Sequence, residues 1–215
     1  MTLHNALRRA CPVATLLMVA TTCAALTAAA LDTAPTAQTA PLAMDTARVT
    51  IAGSSNIHEY TASTDAIRVT RVALGAPIGP DAFWNDIVKP GALEAFEVAI
   101  PAATLTSPKA GLDKNMHKAL KVDANRDITF RLARLEPGAT GALKAVGVLR
   151  IAGVERDVVL ALKTERRDAV LVVKGELALL MTDYGIKPPT AMLGMLKTDP
   201  KVTVTFETVL SVPRT

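Results

Sequence analysis

Short stretches of alternating apolar and polar residues recur from residue 48 onward, and they constrain the fold more than any other feature of the chain. In one of them Phe96, Val98 and Ile100 alternate with small or charged residues. A period of two puts one set of side chains on one face of a β-strand, so each stretch predicts a half-buried strand. Eight strands, most of them joined by short turns, predict an all-β fold of the antiparallel barrel or sandwich type.

The predicted strands are separated by turn signals of different lengths. The strands begin near Val49, Ile67, Phe96, Ile128, Leu143, Val158, Val170 and Val202. In the first strand, the Gly-Ser-Ser of residues 53–55 permits a bend before residues 57–62. Residues 152–157 predict a hairpin turn. Residues 76–91, with three prolines and two glycines, predict a long loop that contains the only tryptophan, Trp84.

Two further segments interrupt the strand pattern. Residues 112–121 are amphipathic, lie between two polar turns and predict a short helix. Residues 181–201 contain Pro188-Pro189, which excludes a regular strand or helix at that point, and residues 191–196 predict one helical turn. This apolar segment closes one end of a barrel as a flexible flap, or it belongs to the core as a capping plug. Its methionines are adaptable enough for either role.

The first 30 residues have the parts of a secretory signal peptide. Arg8 and Arg9 precede the uncharged, apolar residues 12–31, and Ala28-Ala29-Ala30 offers small residues at both positions that a signal peptidase requires. We therefore expect cleavage after Ala30 and a mature protein in the periplasm or outside the cell. An uncleaved membrane anchor is the alternative, because the apolar run is about long enough to span a bilayer.

Composition narrows the function classes further. Both cysteines, Cys11 and Cys23, lie in the predicted signal peptide, so the mature chain would have no disulfide and no thiol chemistry. Removal of that peptide lowers the formal charge from +4 to +2, and aromatic residues make up 3% of the chain, so we expect no nucleic-acid partner. Residues 31–47, rich in Ala, Thr and Pro, predict a disordered linker before a domain of residues 48–215.

Three motifs carry a resemblance to a known family. They are LTSPKAGLDKNMHKALKVDANRDITF at residues 105–130, GVLRIAGVERDVVLAL at residues 147–162 and MTDYGIKPPTAMLGMLKTDPKVTVTF at residues 181–206, with Ser-Asn-Ile-His at residues 55–58 in addition. In this order and spacing they resemble the YceI-like family of bacterial secreted or periplasmic proteins. The resemblance implies an eight-stranded antiparallel, lipocalin-like β-barrel that binds a polyisoprenoid or another lipid-like molecule in its interior.

An eight-stranded barrel is at the size where the interior is either just filled or holds one ligand. The candidate lining residues for a hollow barrel share the inward faces of the predicted strands: Phe96, Val98, Ile100, Ile128, Phe130, Leu149, Leu160, Val202, Val204 and Phe206. The same faces would suit a packed core. A filled barrel that acts as a structural or interaction protein is therefore the second hypothesis, and a homodimer is compatible with either one.

Candidates for the barrel mouth and its flap are His58, Tyr60, Met192, Leu193 and Met195. His58 beside Tyr60 suits a hydrogen-bonded structural histidine, a contact to a ligand head group, or a metal or haem ligand. A His-dependent enzyme is the third hypothesis. The sequence contains no G-x-S-x-G and no H-E-x-x-H motif. We therefore expect a protein that is not an enzyme and has no metal and no cofactor.

Two other groups of polar residues each allow a structural and a binding interpretation. His117 shares a predicted helix with Lys114, Lys118 and Lys121, which indicates a solvated face; the same cluster would attract an anionic head group or allow transient membrane contact. Asp183 and Tyr184 predict a turn, with a polar contact at the barrel mouth as the alternative.

Overall fold

The computed structural model describes residues 42–78, 82–139, 142–191 and 195–212. Two helices lie in this part of the chain, α1 (Phe83–Asp86) and α2 (Ala110–Leu120). Its strands are β1 (Ala43–Ser55), β2 (Glu59–Thr64), β3 (Arg68–Leu74), β4 (Leu93–Pro101), β5 (Asp127–Pro137), β6 (Leu143–Ile151), β7 (Val154–Arg167), β8 (Val170–Leu180), β9 (Thr190–Ala191) and β10 (Leu196–Ser211). Neither helix of the described ranges has the length and apolar character needed to cross a membrane.

All the strands belong to one curled antiparallel sheet, which confirms the predicted all-β, lipocalin-like architecture. The order is β2-β1-β10-β8-β7-β6-β5-β4-β3, with β9 paired to β10 alone. The edge strands β2 and β3 follow each other in the chain. Ser63 on β2 exchanges two backbone hydrogen bonds with Thr106, which lies beyond β4 (N···O 2.8 and 3.1 Å). The edge strand β2 is thus bridged to the segment after β4, and the sheet forms a half-barrel.

The predicted count of eight strands is wrong, because ten form in the described residues. The bend expected at residues 53–55 is a complete reversal that separates β1 from β2. Ser55 makes it possible, since its amide donates to the His58 carbonyl (2.9 Å) and its hydroxyl accepts from the His58 amide (3.2 Å). The other additional strand is the two-residue β9.

The folded part begins earlier than the predicted boundary at residue 48. Leu42 is only 3% exposed, and β1 starts at Ala43, which pairs with Ser211 of β10. A segment without its own strand pattern is ordered here because a distant strand supplies the hydrogen bonds. The predicted signal peptide and the first part of the predicted linker lie outside the described residues.

The Pro- and Gly-rich loop predicted for residues 76–91 contains α1, which the sequence pattern did not indicate. Phe83, Trp84 and Ile87 are buried against Leu171 and other residues of the sheet. The loop thus adds a helical turn that covers one end of the half-barrel.

The short helix predicted for residues 112–121 is confirmed as α2, which begins two residues earlier and ends one residue earlier. Lys121 ends it in the left-handed conformation (φ 53°). Leu120 is buried next to Leu105 and Ile128, so α2 packs over the opposite end of the half-barrel from α1.

One turn prediction is corrected. The hairpin expected at residues 152–157 is a two-residue turn, because Val154 already pairs with Ile151. Ala152 (φ 49°) and Gly153 (φ 85°) both take the positive φ that such tight hairpins need. Of the helical turn expected at residues 191–196, the first residue ends β9 and the last begins β10, whereas residues 192–194 lie outside the described residues.

Candidate functional site

The inward faces of the strands surround an apolar cavity of about 230 Å³. Nine of the ten candidate lining residues border it, and the tenth, Val202, borders an adjoining cavity. Eight of the ten are only partly buried although they point into the interior. The two fully buried members are Ile128 and Val202. A filled core would bury the whole set, so the described part of the chain encloses open space. Their role as ligand contacts stays a prediction.

Thr164 and Thr208 are the two residues around this cavity whose side chains are not mainly apolar, within the described part of the chain. The indole N–H of Trp84 is turned away and donates to the Ala169 carbonyl (3.0 Å). No charged side chain borders the space in the described ranges. Such a lining favours a ligand that binds through its apolar surface.

Three inward-facing glycines provide room for three aromatic rings. Phe206 covers Gly175, which is opposite it on β8, and a Cβ at Gly175 would overlap the ring. Phe130 lies over Gly147 in the same way, with the ring's Cζ 2.7 Å from where a Cβ would be. The rings therefore lie against the sheet and leave the centre of the barrel open. The sequence signal was present, since glycine inside a strand often marks close approach by another group.

The third pair is Gly53 on β1 and Tyr60 on β2, which are directly opposite each other. Tyr60 is half-buried at the mouth. Burial raises the pKa of its phenol, and the negative charge of Asp199 raises it further. At neutral pH the phenol is therefore uncharged and keeps an O–H that can donate a hydrogen bond.

A second cavity of about 510 Å³ lies beside α2 and shares Ile51, Ile128, Ile151 and Val204 with the first. Its inner wall is apolar, with Leu112 and Met116 contributed by α2. Its outer wall is polar and comprises Ser55, His58, Glu59, Tyr60, Thr61, Ser107, Lys109, Asn115, Thr190 and Thr198. The interior thus changes from almost entirely apolar near α1 to mixed and polar near α2, and we call this polar end the mouth.

His58 lies at the mouth with an exposed side chain. Its backbone, rather than its ring, holds the turn together through Ser55. Within the described ranges, no three His, Cys, Asp or Glu side chains come together as a metal site. Among the methionine and leucine candidates of the flap, Met195 is 67% exposed. Met192 and Leu193 lie outside the described residues.

Asn56 is a mouth residue that the sequence interpretation did not single out. Its side-chain N–H donates to the Met195 carbonyl (2.8 Å), and its side-chain oxygen accepts from the Lys197 amide (2.9 Å). These bonds tie the β1–β2 turn to the start of β10. The partners are about 140 residues apart, as the separations of 139 and 141 show, so no local pattern could have indicated the contact.

The prediction that His117 belongs to a solvated face is wrong for the histidine itself. Its ring Nε2 is 2.8 Å from the carbonyl oxygen of Leu105, and the ring is partly buried. Lys114, Lys118 and Lys121 are exposed. His117 thus fixes α2 to the segment after β4, because that carbonyl has a side-chain partner on the helix.

Tyr184 and Asp183 belong to a single 3-10 turn, Met181–Tyr184, so the predicted turn is present. Tyr184 is 2% exposed and packs in the core beside Leu120. Asp183 is exposed.

Residues 81–210 match the protein-family model of the YceI-like domain, which spans more than half of the chain. The chain belongs to the YceI-like family. The matched region begins just before α1 and ends in β10, so it contains most of both cavity linings. No curated protein matches the chain.

Two solved structures share the YceI-like fold seen here. BcnA from Burkholderia cenocepacia has a TM-score of 0.61 at 10% sequence identity, over 77% of this chain and 96% of BcnA. A polyisoprenoid-binding domain from Saccharophagus degradans, implicated in plant cell wall breakdown, has a TM-score of 0.62 at 13% identity, over 81% of this chain and 100% of the domain. At these identities the likeness shows a common fold.

Proposed function

We propose that this protein is an exported lipid-binding protein that holds one polyisoprenoid, or a similar amphiphile, inside the half-barrel. The observation that carries the proposal is the change in the interior, from an apolar cavity near α1 to a polar mouth near α2. A molecule with a long apolar tail and a polar head has the same division. The polyisoprenoid-binding neighbour from Saccharophagus degradans supports this ligand class.

The tail needs no charged partner in this proposal. Each CH₂ group that leaves water contributes roughly 0.8 kcal/mol, so a few isoprene units offset the cost of immobilising the ligand. The partly exposed lining residues, among them Phe96, Leu149 and Val204, provide the apolar surface. Because the rings of Phe130 and Phe206 lie against the sheet, a chain of methyl-branched units passes between them.

The head group stays at the mouth, where hydrogen-bonding groups are available. The uncharged phenol of Tyr60 donates to an acceptor oxygen on the ligand, and Lys109 offers a positive charge on the same rim. Exposed Ile57 and Met195 lie beside this rim. With the exposed lysines of α2 they provide a surface for transient contact with the membrane from which the ligand comes.

The first 30 residues support export, because they have the parts of a secretory signal peptide that a signal peptidase would remove. A periplasmic or extracellular protein that covers an apolar tail would keep a water-insoluble molecule dispersed between membranes.

Native mass spectrometry of the mature protein, followed by organic extraction of what it carries, tests the proposal. We expect one isoprenoid or quinone-like molecule per chain. A ligand-free mass that stays unchanged after incubation with polyprenyl lipids would overturn the proposal in favour of a barrel that acts through protein partners.

A further inference from the structure

The end of the half-barrel opposite the mouth is closed by α1. Trp84 and Ile87 border the apolar cavity there, and both are almost fully buried. Leu42, Leu171 and Leu210 surround them in the same buried cluster. This end therefore has a floor made of large side chains, whereas the mouth end has polar groups and partly exposed ones.

The indole of Trp84 is fixed in position from two sides. Its N–H donates to the carbonyl of Ala169, in the turn between β7 and β8 (3.0 Å). Phe83 packs edge-on against it, with ring centroids 5.2 Å apart and ring planes at 89°. Phe83 itself does not border the cavity. An indole held in this way cannot swing aside without breaking a hydrogen bond and a packed aromatic pair.

We propose that α1 is a fixed floor that sets the longest isoprenoid tail the protein accepts, with Trp84 as the residue that determines this length. The inference rests on the proposed function. A tail that enters from the mouth gains apolar contact with each unit until its end meets Trp84. Any further unit must remain outside the mouth in water, or must displace the floor.

A length series of polyprenyl alcohols tests this directly on the wild-type mature protein. We expect each added isoprene unit to tighten binding by about tenfold or more while it still fits. Beyond a cut-off length, each further isoprene unit should change the binding affinity by less than about twofold. Trp84 is the only tryptophan of the chain, so its fluorescence reports on the floor. Its emission should shift only with tails that reach the cut-off length.

Two substitutions should move the cut-off in opposite directions. Trp84→Ala removes a ring system larger than an isoprene unit, so the cut-off should become at least one unit longer, as measured by native mass spectrometry of mixed-length alcohols. Ala145→Leu should make it shorter, because Ala145 is buried and borders the same cavity. Val159→Ala is the matched control. Val159 is 54% exposed, does not border either cavity and should leave the cut-off unchanged.

The outcomes separate the two proposals. If no polyprenyl alcohol of any length binds, the proposed function is overturned and the floor with it. If the alcohols bind without a cut-off, or if the cut-off stays the same in both cavity variants, only the floor is overturned. If Trp84→Ala does not fold, Ala145→Leu and the wild-type fluorescence decide the question.

Discussion

At the scale of single residues, the open interior depends on the glycines that lie under aromatic rings. Gly175 and Gly147 have no side chain where Phe206 and Phe130 need space. A larger residue at either glycine would push a ring toward the centre of the barrel, because the sheet behind the ring cannot retreat. The glycines thus act on the cavity through their neighbours.

Gly175→Ala should lower the free energy of unfolding by about 1–3 kcal/mol, since the new methyl group overlaps the ring of Phe206 and forces it from its position. The displaced ring should also weaken binding of polyprenyl alcohols. Urea unfolding measures the first effect and titration the second.

Gly111→Ala is the control for that substitution. Gly111 lies in the first turn of α2, and a Cβ there meets no atom within 4 Å. This change should stabilise the protein slightly, by about 0.4–1 kcal/mol. Equal destabilisation by both substitutions would contradict the role given to the ring above Gly175.

Tyr60→Phe should weaken binding of a polyprenyl alcohol by about two- to tenfold, because it removes one neutral hydrogen-bond donor and keeps the ring over Gly53. Isothermal titration at neutral pH measures this. An unchanged affinity would exclude Tyr60 as a head-group contact.

The same phenol has a consequence for stability at high pH. The folded state raises the pKa of Tyr60 above its ordinary value of 10.0, so folding favours the protonated form. The stabilising contribution is complete below pH 10 and is lost as the pH rises toward the folded-state pKa. Wild-type stability should therefore fall more steeply above pH 10 than that of Tyr60→Phe. Urea unfolding at several pH values measures how steeply the free energy of unfolding falls with pH in each protein. Equal slopes would contradict the raised pKa of Tyr60.

At the scale of elements, long-range contacts determine the structure of two segments whose own sequence pattern predicts it only weakly. β1 extends back to Ala43 because β10 is already in place, and Leu42 is buried at the α1 end. The β1–β2 turn is held to β10 by the side chain of Asn56. In both cases a long-range partner determines where an element begins.

Asn56→Ala should raise amide hydrogen exchange at Lys197, because that amide loses its acceptor. We expect the increase to be local, with a loss of unfolding free energy of about 1–3 kcal/mol. Asn115→Ala, on the exposed face of α2 at the same mouth, should leave exchange at Lys197 unchanged. Exchange that rises throughout β10 in the Asn56 variant would point to general unfolding instead.

Leu42→Ala should cost about 2–5 kcal/mol of unfolding free energy, as expected for a large buried side chain. Thr46→Ala, in the adjoining strand β1 but exposed, should cost less than about 0.5 kcal/mol. Thermal or urea unfolding compares the two. Similar small effects would mean that the folded part begins after this strand segment.

At the scale of the whole molecule, alternation predicted the sheet well because its inward face is almost entirely apolar. Phe96, Val98 and Ile100 could be placed in the interior from the sequence, and β8 begins at Val170, as expected. α2 could be placed within two residues because its amphipathic pattern and flanking turns are local.

The rest depends on contacts that a local pattern does not contain. α1 is a helix of four residues inside a loop rich in proline, and its burial comes from residues such as Leu42 and Leu210 at both ends of the domain. The division of the interior into an apolar end and a polar mouth likewise depends on which loops meet at each end. The mouth residue Asn56 shows the same limit, since its partners follow it by more than a hundred residues.

The bridge between Ser63 and Thr106 has a further consequence for how copies of the protein meet one another. An unpaired strand edge is a template on which another chain can add a strand, and such addition leads to aggregation. Here the N–H and C=O groups of Ser63, on the edge strand β2, already have partners within the same chain. These two hydrogen bonds therefore occupy a position on the β2 edge that a strand of a second copy would need, and so they oppose edge-to-edge association at that position.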